Sequence, residues 1–590
     1  MAINPAAVGT SAYELLDGSV SSFYAEVDDA IAASEVVKGQ YRMTINPAYN
    51  SPNPVDSNSF TTVGLTQSGP MVVDLENSYI TTTAEITIHP NANIARPHPA
   101  TGTDSAIMFV GWKRSIDAIE RYDILVNSTP IYTQSFCGEE SFVMGQVDND
   151  LVRKKSPFIT STYHNIINME PGVCGTYILL DGGAGVDAAH FLVGAAKGLT
   201  VNIPIKIPVS HFPILKNLKY LLSWMGKWEI RLYFSTQNMI QCLVDPDVVL
   251  KNSPLIGQAP VQQITNPNNA ANATVRVVTA NPHKCPYTKA NCKLTQFGES
   301  IALWTALDGN DNAQATGVTW HASKMTLKDV SMNTAQFQIR MDILEMLKQK
   351  YMAEKPLTFP VSTFQIARFT GPPQTQHGVT VQGHPLSIVL CQAINNCDTM
   401  FILPYRKATE HTVCYNPEVH DLQLHAGEYG SYPSQPFNTY WTYESDNIRF
   451  VNSVMDALNV NGSELTSFNE DVMTSFVPRP MLVKPTPEEI ANITGLATQT
   501  NYRDVTNTRL EHDDTNFFIP FPFSTDDDFQ GGMSSPSSNI NFKLTGTYST
   551  GNLPMTTPWV ACFLIDGVVM IRPDPGSDAA KVIWSDRTVC

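Results

Sequence analysis

One unit occurs twice in this chain, and it narrows the fold more than anything else in the sequence. IPIKIPVSHFPILKNLKYLLSWMGKWEIRLYFS runs from Ile203 to Ser235, and a fainter echo, FFIPFPFSTDDDFQGGMSSPSSNINFKLTGTY, runs from Phe517 to Tyr548. Each places an apolar-Pro-apolar-Ser element, at Ile207 to Ser210 and at Phe521 to Ser524, ahead of a loop. An alternating strand follows, with Trp228, Ile230, Leu232 and Phe234 on one face in the first copy and Ile540, Phe542 and Leu544 in the second. Strict period-two alternation buries one face of a strand and wets the other, as in the sheets of a sandwich. Two such units in one chain predict a duplicated β-sandwich.

Composition fits that expectation. At 590 residues the chain is too long for one ordinary core, so two large domains are expected. Charged residues make up 16% of the chain, against about 25% in an average protein, and there are 40 prolines. Short strands joined by long uncharged loops, with much surface shielded by neighbours, have this profile. A net charge of -17 argues against a surface devoted to phosphate, because nucleic-acid affinity rests largely on Lys and Arg contacts. The N-terminus has neither the charged start nor the apolar centre of a signal peptide, and no run of about 18 apolar residues is present to span a bilayer. The expectation is a soluble protein made in a reducing compartment, without a membrane span. The cysteines at 137, 174, 242, 285, 292, 391, 397, 414, 562 and 590 form no regular framework and read as buried free thiols. Glycosylation sequons at Asn127, Asn272, Asn461 and Asn492 carry little weight without a secretory route.

Along the chain, Leu16, Val20, Phe23, Val27 and Ile31 form one helical stripe with Glu26, Asp28 and Asp29 opposite, so residues 1–40 are expected to be an N-terminal helical segment packed outside the sandwich. A first β-rich block is expected over 41–250, with its clear strand pattern beginning near Met71. The segment 251–274 is rich in Asn, Pro, Gln and Ala and reads as a linker. The second block, 275–590, contains a candidate helix on Ile343, Leu344, Leu347 and Tyr351. Another is expected after Ser445, with Ile448, Val451, Met455 and Leu458 on its apolar face. The proline-rich stretch from Glu464 to Asn516 has little strand pattern and reads as a long surface loop.

No constellation in the sequence compels a catalytic or metal reading. Asp308, Asn310 and Asn312 resemble the opening of a calcium loop, but Ala313 stands where its glycine belongs and Thr319 where its glutamate belongs. His411, Cys414, His420 and His425 match no zinc spacing, and His420 and His425 are expected on opposite faces of a strand. His283, Cys285 and Cys292 lack paired close spacings. Asp526, Asp527 and Asp528 could hold a cation or act as paired carboxylates, but read more simply as a solvated, repulsive loop at an edge. Gly182, Gly183 and Gly185 lack dinucleotide spacing, and neither a phosphate loop nor a nucleophile elbow occurs. The expected site residues are therefore none: catalytic none, cofactor-binding none and metal none.

Several stretches resemble a known group, the double jelly-roll major capsid proteins of the virophage and Polinton-like viruses in the adenovirus-like capsid lineage. VDLENSYITTTAEI resembles that family's first strand pair, and FVGWKRSIDAIERYDILVNSTPIYTQSFCGEESF the strands after it. Ile203 to Ser235 resembles its late strand, helix and strand unit. In the second half NPEVHDLQLHAGEYGSYPSQPF resembles the family's strand and loop with a short ordered turn, and FFIPFPFSTDDDFQGGM, SNINFKLTG and VACFLIDGVVMI resemble the closing strands of a second roll. The resemblance implies an all-β fold of two tandem eight-stranded jelly-roll sandwiches, with short helices in loops and an N-terminal helix. It further implies a non-enzymatic homotrimer, a pseudo-hexagonal capsomer that tiles an icosahedral shell around a DNA genome. Its partners would be itself, neighbouring capsomers and minor capsid and penton proteins, with weak genome contact at the inner face, for which Arg153, Lys154 and Lys155 are the basic residues to consider. The location implied is the virion, after synthesis in the host cytosol.

Two other classes fit a loop-rich β-sandwich. A glycan- or receptor-binding spike could use Tyr429, Tyr432, Tyr440 and Trp441 as stacking surfaces, and a hydrolase could use the Asp526 to Asp528 run or the scattered histidines.

Overall fold

A computed structural model of the chain describes residues 20–33, 41–45, 60–65, 69–90, 107–112, 115–140, 143, 174–179, 199–216, 218–234, 239–244, 261–264, 276–279, 292–295, 300–307, 313–353, 357–370, 385–391, 394, 396–404, 419–426, 430–439, 448–457, 518–523, 533, 541–548, 558–573 and 580–585. Strands of the first part are β1 (Tyr41–Ile45), β2 (Phe60–Gly64), β3 (Met71–Pro90), β4 (Ile107–Trp112), β5 (Ile119–Val126), β6 (Thr129–Gln134), β7 (Cys174–Leu179), β8 (Leu199–Pro208), β9 (Tyr220–Leu222), β10 (Trp228–Phe234), β11 (Met239–Val244), β12 (Val261–Ile264), β13 (Arg276–Thr279), β14 (Cys292–Thr295), β15 (Ser300–Leu307) and β16 (Ala313–Gln338). Those that follow are β17 (Leu357–Thr370), β18 (Pro385–Cys391), β19 (Cys397–Pro404), β20 (Val419–Ala426), β21 (Ser431–Phe437), β22 (Ile519–Pro522), β23 (Asn541–Tyr548), β24 (Pro558–Pro573) and β25 (Ala580–Ser585). Helices among the described residues include α1 (20–32), α2 (Pro213–Lys216), α3 (Met341–Ala353) and α4 (Ile448–Ala457).

The second roll is the simpler to read. One sheet runs β17-β24-β19-β22 and the other β18-β23-β20-β21. Counted in chain order from β17 to β24, the first sheet takes the first, eighth, third and sixth strands, and its partner the second, seventh, fourth and fifth. That antiparallel interleaving is a jelly roll. Alternation sends Phe542 and Leu544 of β23 and Leu422, Leu424 and Ala426 of β20 into the core, where they meet Phe401, Phe521 and Trp559.

The first half repeats the pattern with β1, β2, β3, β5, β6, β8, β10 and β16. Its sheets run β1-β16-β3-β8 and β2-β10-β5-β6, the same interleaving. The two sequence repeats therefore occupy equivalent places, as the sixth and seventh strands of each roll: β8 and β10 in one, β22 and β23 in the other. In β10, Trp228, Ile230, Leu232 and Phe234 are buried while the residues between them are partly exposed.

This topology corrects the expected boundary. β16 pairs with β1 from Tyr41 to Ile45 and with β3 from Met71 to Pro90, so the first roll closes only at Gln338 and not at residue 250. The proposed linker, 251–274, lies inside the last connection of that roll, where β12 pairs with β13 as a hairpin. VDLENSYITTTAEI is likewise no strand pair but part of β3, which jogs in mid-course. Asp74 makes the jog: its carboxylate accepts from the Glu76 and Asn77 amides at 3.0 and 3.2 Å, and its carbonyl accepts from Ser78 Oγ at 2.5 Å. Before the jog β3 pairs with β9, and after it with β8.

Consecutive strands of a roll run in opposite directions, so its connections fall alternately at two ends. In the first roll the connections after β3, β6 and β10 share one end, and from them grow β4, β7, β11 and β14, which form a further sheet in the order β14-β11-β4-β7. The other end carries tight turns and helices. There β5 and β6 are joined by Asn127 and Ser128, both at positive φ (50° and 65°), as a two-residue hairpin turn requires. β16 arrives at this end, α3 crosses it, and β17 leaves from it, so the two rolls stand side by side on a common base.

The base is apolar. Val20, Phe23, Val27 and Ala30 of α1 are buried in one cluster with Leu344 and Leu347 of α3, Leu357, Phe359 and Val361 of β17, and Val569 and Ile571 of β24. Leu16 lies outside the described residues. The Phe23 ring meets Tyr351 edge-on at 5.1 Å and Phe359 at 6.0 Å. Burial of such rings is the main favourable term available here. The acidic face of α1 is tied down too: Asp28 accepts from Lys219 Nζ at 3.0 Å and from the Tyr220 hydroxyl, and Glu26 pairs with Lys350. α4 begins where expected but turns another face inward. Phe450, Val454 and Ala457 are buried, whereas Ile448 is 60% exposed.

Candidate functional site in the seam between the two rolls

Above the base, the rolls are joined by polar groups. β6 ends the second sheet of the first roll, and the chain after it turns into the run Phe136, Cys137, Gly138, Glu139 and Glu140. Alternation along β6 turns Tyr132 and Gln134 the same way. Both reach β17 of the second roll, where the Phe364 carbonyl accepts from Gln134 Nε2 at 3.0 Å and from the Tyr132 hydroxyl at 3.3 Å. Higher on β17, Arg368 Nη2 donates to Glu139 Oε1 at 2.9 Å while its guanidinium lies over the Phe136 ring at 4.7 Å.

Glu140 sits behind these contacts and is buried. Its Oε2 accepts from the Tyr122 hydroxyl of β5 at 2.7 Å. Its Oε1 is 3.3 Å from the Tyr132 hydroxyl and 3.4 Å from Gln134 Nε2. Loss of solvent pushes the carboxyl up to about 8, although the three donors pull the other way. Burial and the neighbouring Glu140 likewise raise the Tyr122 and Tyr132 phenols, and burial raises the Cys137 thiol. A second buried carboxyl, Asp566 of β24, accepts from Ser362 Oγ at 2.9 Å and is pushed up to about 7, by burial first and then by Asp398.

No sequence motif marks these residues for chemistry. The available signal was two adjacent glutamates after an aromatic and a cysteine, FCGEE, in a chain poor in charge. Hydrogen bonding and packing can make such a seam rigid or responsive to protons, and no reacting group is needed for either.

The candidate residues of the sequence fall elsewhere or outside the described residues. His420 and His425 both lie on β20, and both face outward, which corrects the opposite-face expectation. A bulge between His420 and Gln423, with Asp421 at φ 50°, shifts the alternation by one residue. Each His425 ring nitrogen is engaged by a hydroxyl, Nδ1 with Ser431 Oγ at 2.6 Å and Nε2 with Thr545 Oγ1 at 2.9 Å, so the ring clamps three strands together. His420 Nδ1 is 3.2 Å from Asn438 Oδ1. Among the described residues no group of three or more His, Cys, Asp or Glu side chains is placed to hold a metal, and no helix is long and apolar enough to cross a membrane. Cys137, Cys397 and Cys562 are buried. Asn127 of the first sequon uses its side-chain carbonyl to accept from the Lys227 amide at 2.8 Å. Cys292 and Ala313 are placed as strand backbone only, in β14 and β16, and Tyr432 in β21. His283, Cys285, Asp308, Asn310, Asn312, His411, Cys414, the glycines 182, 183 and 185, Arg153 to Lys155, Tyr429, Tyr440, Trp441, the stretch 464–516 and Asp526 to Asp528 lie outside the described residues.

No family model matches the sequence, and no curated protein matches it. Solved structures align along most of the chain. The mavirus major capsid protein aligns over 92% of this chain and 90% of its own, at 10% identity and a TM-score of 0.42. The Sputnik virophage structure aligns over 93% and 89%, at 10% identity and 0.41. The Faustovirus major capsid protein aligns over 96% and 99%, at 8% identity and 0.38. The double jelly-roll assignment rests on the strand pairings given above, and the chain is all-β with two rolls in tandem.

Proposed function

We propose that this chain is a major capsid protein whose task is assembly. The single observation that carries the reading is the repetition of one complete eight-stranded roll, with the same strand order, on a common base. Two upright rolls in one chain approximate two places in a sixfold arrangement, so three chains would make a pseudo-hexagonal capsomer. The unequal ends support the same reading. The first roll extends a four-stranded sheet from one end and keeps turns and helices at the other, and such polarity distinguishes the outside of a shell from its inside. The sequence resemblance described above points to the same assignment.

On this reading the chain is not an enzyme. It assembles with itself as a homotrimer, meets neighbouring capsomers and minor capsid and penton proteins, and encloses a DNA genome within an icosahedral virion, with weak contact at the inner face. Apolar burial between neighbours supplies the free energy, and many modest contacts repeated over a lattice supply stability. The net charge of -17 opposes premature association.

Light scattering on the purified chain tests the proposal. Three times the chain mass is expected, with pseudo-hexagonal particles in electron micrographs. A monomer under every condition of salt, pH and concentration would overturn it.

A further inference from the structure

The seam holds more hydrogen-bond contacts than it holds protons. Tyr122 and Tyr132 each bring one proton and Gln134 two. The Tyr132 proton has two competing acceptors, Glu140 Oε1 and the Phe364 carbonyl, each at 3.3 Å. Gln134 has three within reach: the Phe364 carbonyl at 3.0 Å, the Tyr132 oxygen at 3.2 Å and Glu140 Oε1 at 3.4 Å. An ionised Glu140 is the strongest acceptor in this group and accepts only. It would draw the Tyr132 proton and one from Gln134 inward, away from the second roll. A protonated Glu140 has a hydrogen of its own to give to the Tyr132 oxygen. Tyr132 is then free to donate to Phe364, and Gln134 beside it.

We propose that Glu140 is a proton-operated latch: protonated, it directs Tyr132 and Gln134 onto the Phe364 carbonyl and holds the two rolls together, and ionised, it withdraws those donors and loosens the seam.

The surroundings favour the protonated, closed form. Facing Glu140 are Tyr122 from β5 and Tyr132 and Gln134 from β6. The Cys137 thiol lies within electrostatic reach of Glu140 and of the carboxyls of Glu139 and Asp117. From β17 the charged group is Arg368, and it is engaged with Glu139. Nothing cationic among the described residues donates to Glu140 itself. The position of the carboxyl near 8 agrees with this geometry. A carboxyl raised in the folded state costs stability as it is made to ionise. The latch therefore contributes most below its unfolded value of 4.5 and loses its contribution as pH rises through about 8. This inference does not depend on the capsid reading.

Hydrogen exchange on the full chain, corrected for the intrinsic pH dependence of exchange, tests it. Peptides covering 129–140 and 357–370 should lose protection by about tenfold between about pH 7 and about pH 9, the range in which Glu140 changes from mostly neutral to mostly ionised. Glu140→Gln carries a permanent donor and should hold that protection level across the range. If wild type shows no loss, or if the variant loses protection as wild type does, the latch is wrong. Should Glu140→Gln fail to fold, Tyr132→Phe serves instead. It lacks one of the two donors that change partner, so its seam protection should be lower than that of wild type and should fall less between about pH 7 and about pH 9, and a full wild-type pH response there would equally overturn the proposal.

Discussion

Gly546 shows how little room a single position has in these rolls. A Cβ added there would lie 2.5 Å from Val419 Cγ1 and 3.1 Å from the His420 carbonyl, so β20 and β23 can approach as they do only because the residue has no side chain. Gly546→Ala should destabilise the chain by about 1–3 kcal/mol, the usual cost of overpacking, read as a lower midpoint in denaturant. Val419→Ala in the same chain should recover part of that loss, since the nearer clash is with its side chain. Equal midpoints for wild type and Gly546→Ala would show that the strands can spread at no cost. At this scale the core was legible and the seam was not. Trp228, Ile230, Leu232 and Phe234 declare themselves by alternation, because burial of a strand face leaves a period in the sequence. Glu140 leaves none. Its environment is assembled from Tyr122, Tyr132 and Gln134, and the seam beyond them from Phe364, some 230 positions away, and only the fold brings them together.

Elements divide in the same way. α1 and α3 could be read from their apolar stripes, and the paired units at β8 to β10 and β22 to β23 from their repetition. β16 could not. Its 26 residues include small and polar side chains, and register shifts between Ala322 and Lys324, Lys328 and Ser331, and Asn333 and Ala335 break the two-residue period each time. A strand with no steady period hides the end of its domain, so the pattern suggests an earlier boundary than the strand pairing gives. For α4 the element was legible but the face was not, since Phe450 rather than Ile448 found a partner surface. What holds α1 in place gives a testable contrast. Phe23 is fully buried against Tyr351 and Phe359, and Asp28 is an exposed ion-pair partner of Lys219. Phe23→Ala should cost about 3–5 kcal/mol, whereas Asp28→Ala should cost about 1 kcal/mol or less. Thermal melts of the two variants check this. Similar small shifts in both would mean that apolar packing does not fasten the helix.

For the whole molecule, the question is whether two rolls mean two folding units. Each has its own pair of sheets, which by itself predicts independent melting. The base argues otherwise. The cluster that fills the first roll continues without a break through Phe23 and Leu347 into Leu357, Phe359, Val361, Val569 and Ile571, all borne by helices or strands that also serve the second roll or join the two. Melting the first roll would strip water-excluding neighbours from the start of β17 and the end of β24, which pair with each other from Leu357 and Ile571 to Thr370 and Pro558. Exposing those side chains costs about 1.5–3 kcal/mol apiece, comparable in sum to the whole stability of an ordinary domain. The seam contacts of Tyr132, Gln134 and Arg368 would be lost with them. The full chain should therefore melt in one calorimetric transition whose van't Hoff and calorimetric enthalpies agree. A fragment beginning at residue 354 should be insoluble or should bind a hydrophobic dye, because its base is uncovered. Two resolved transitions, together with a soluble fragment that does not bind dye, would mean that the shared base is a contact between finished domains rather than part of one core.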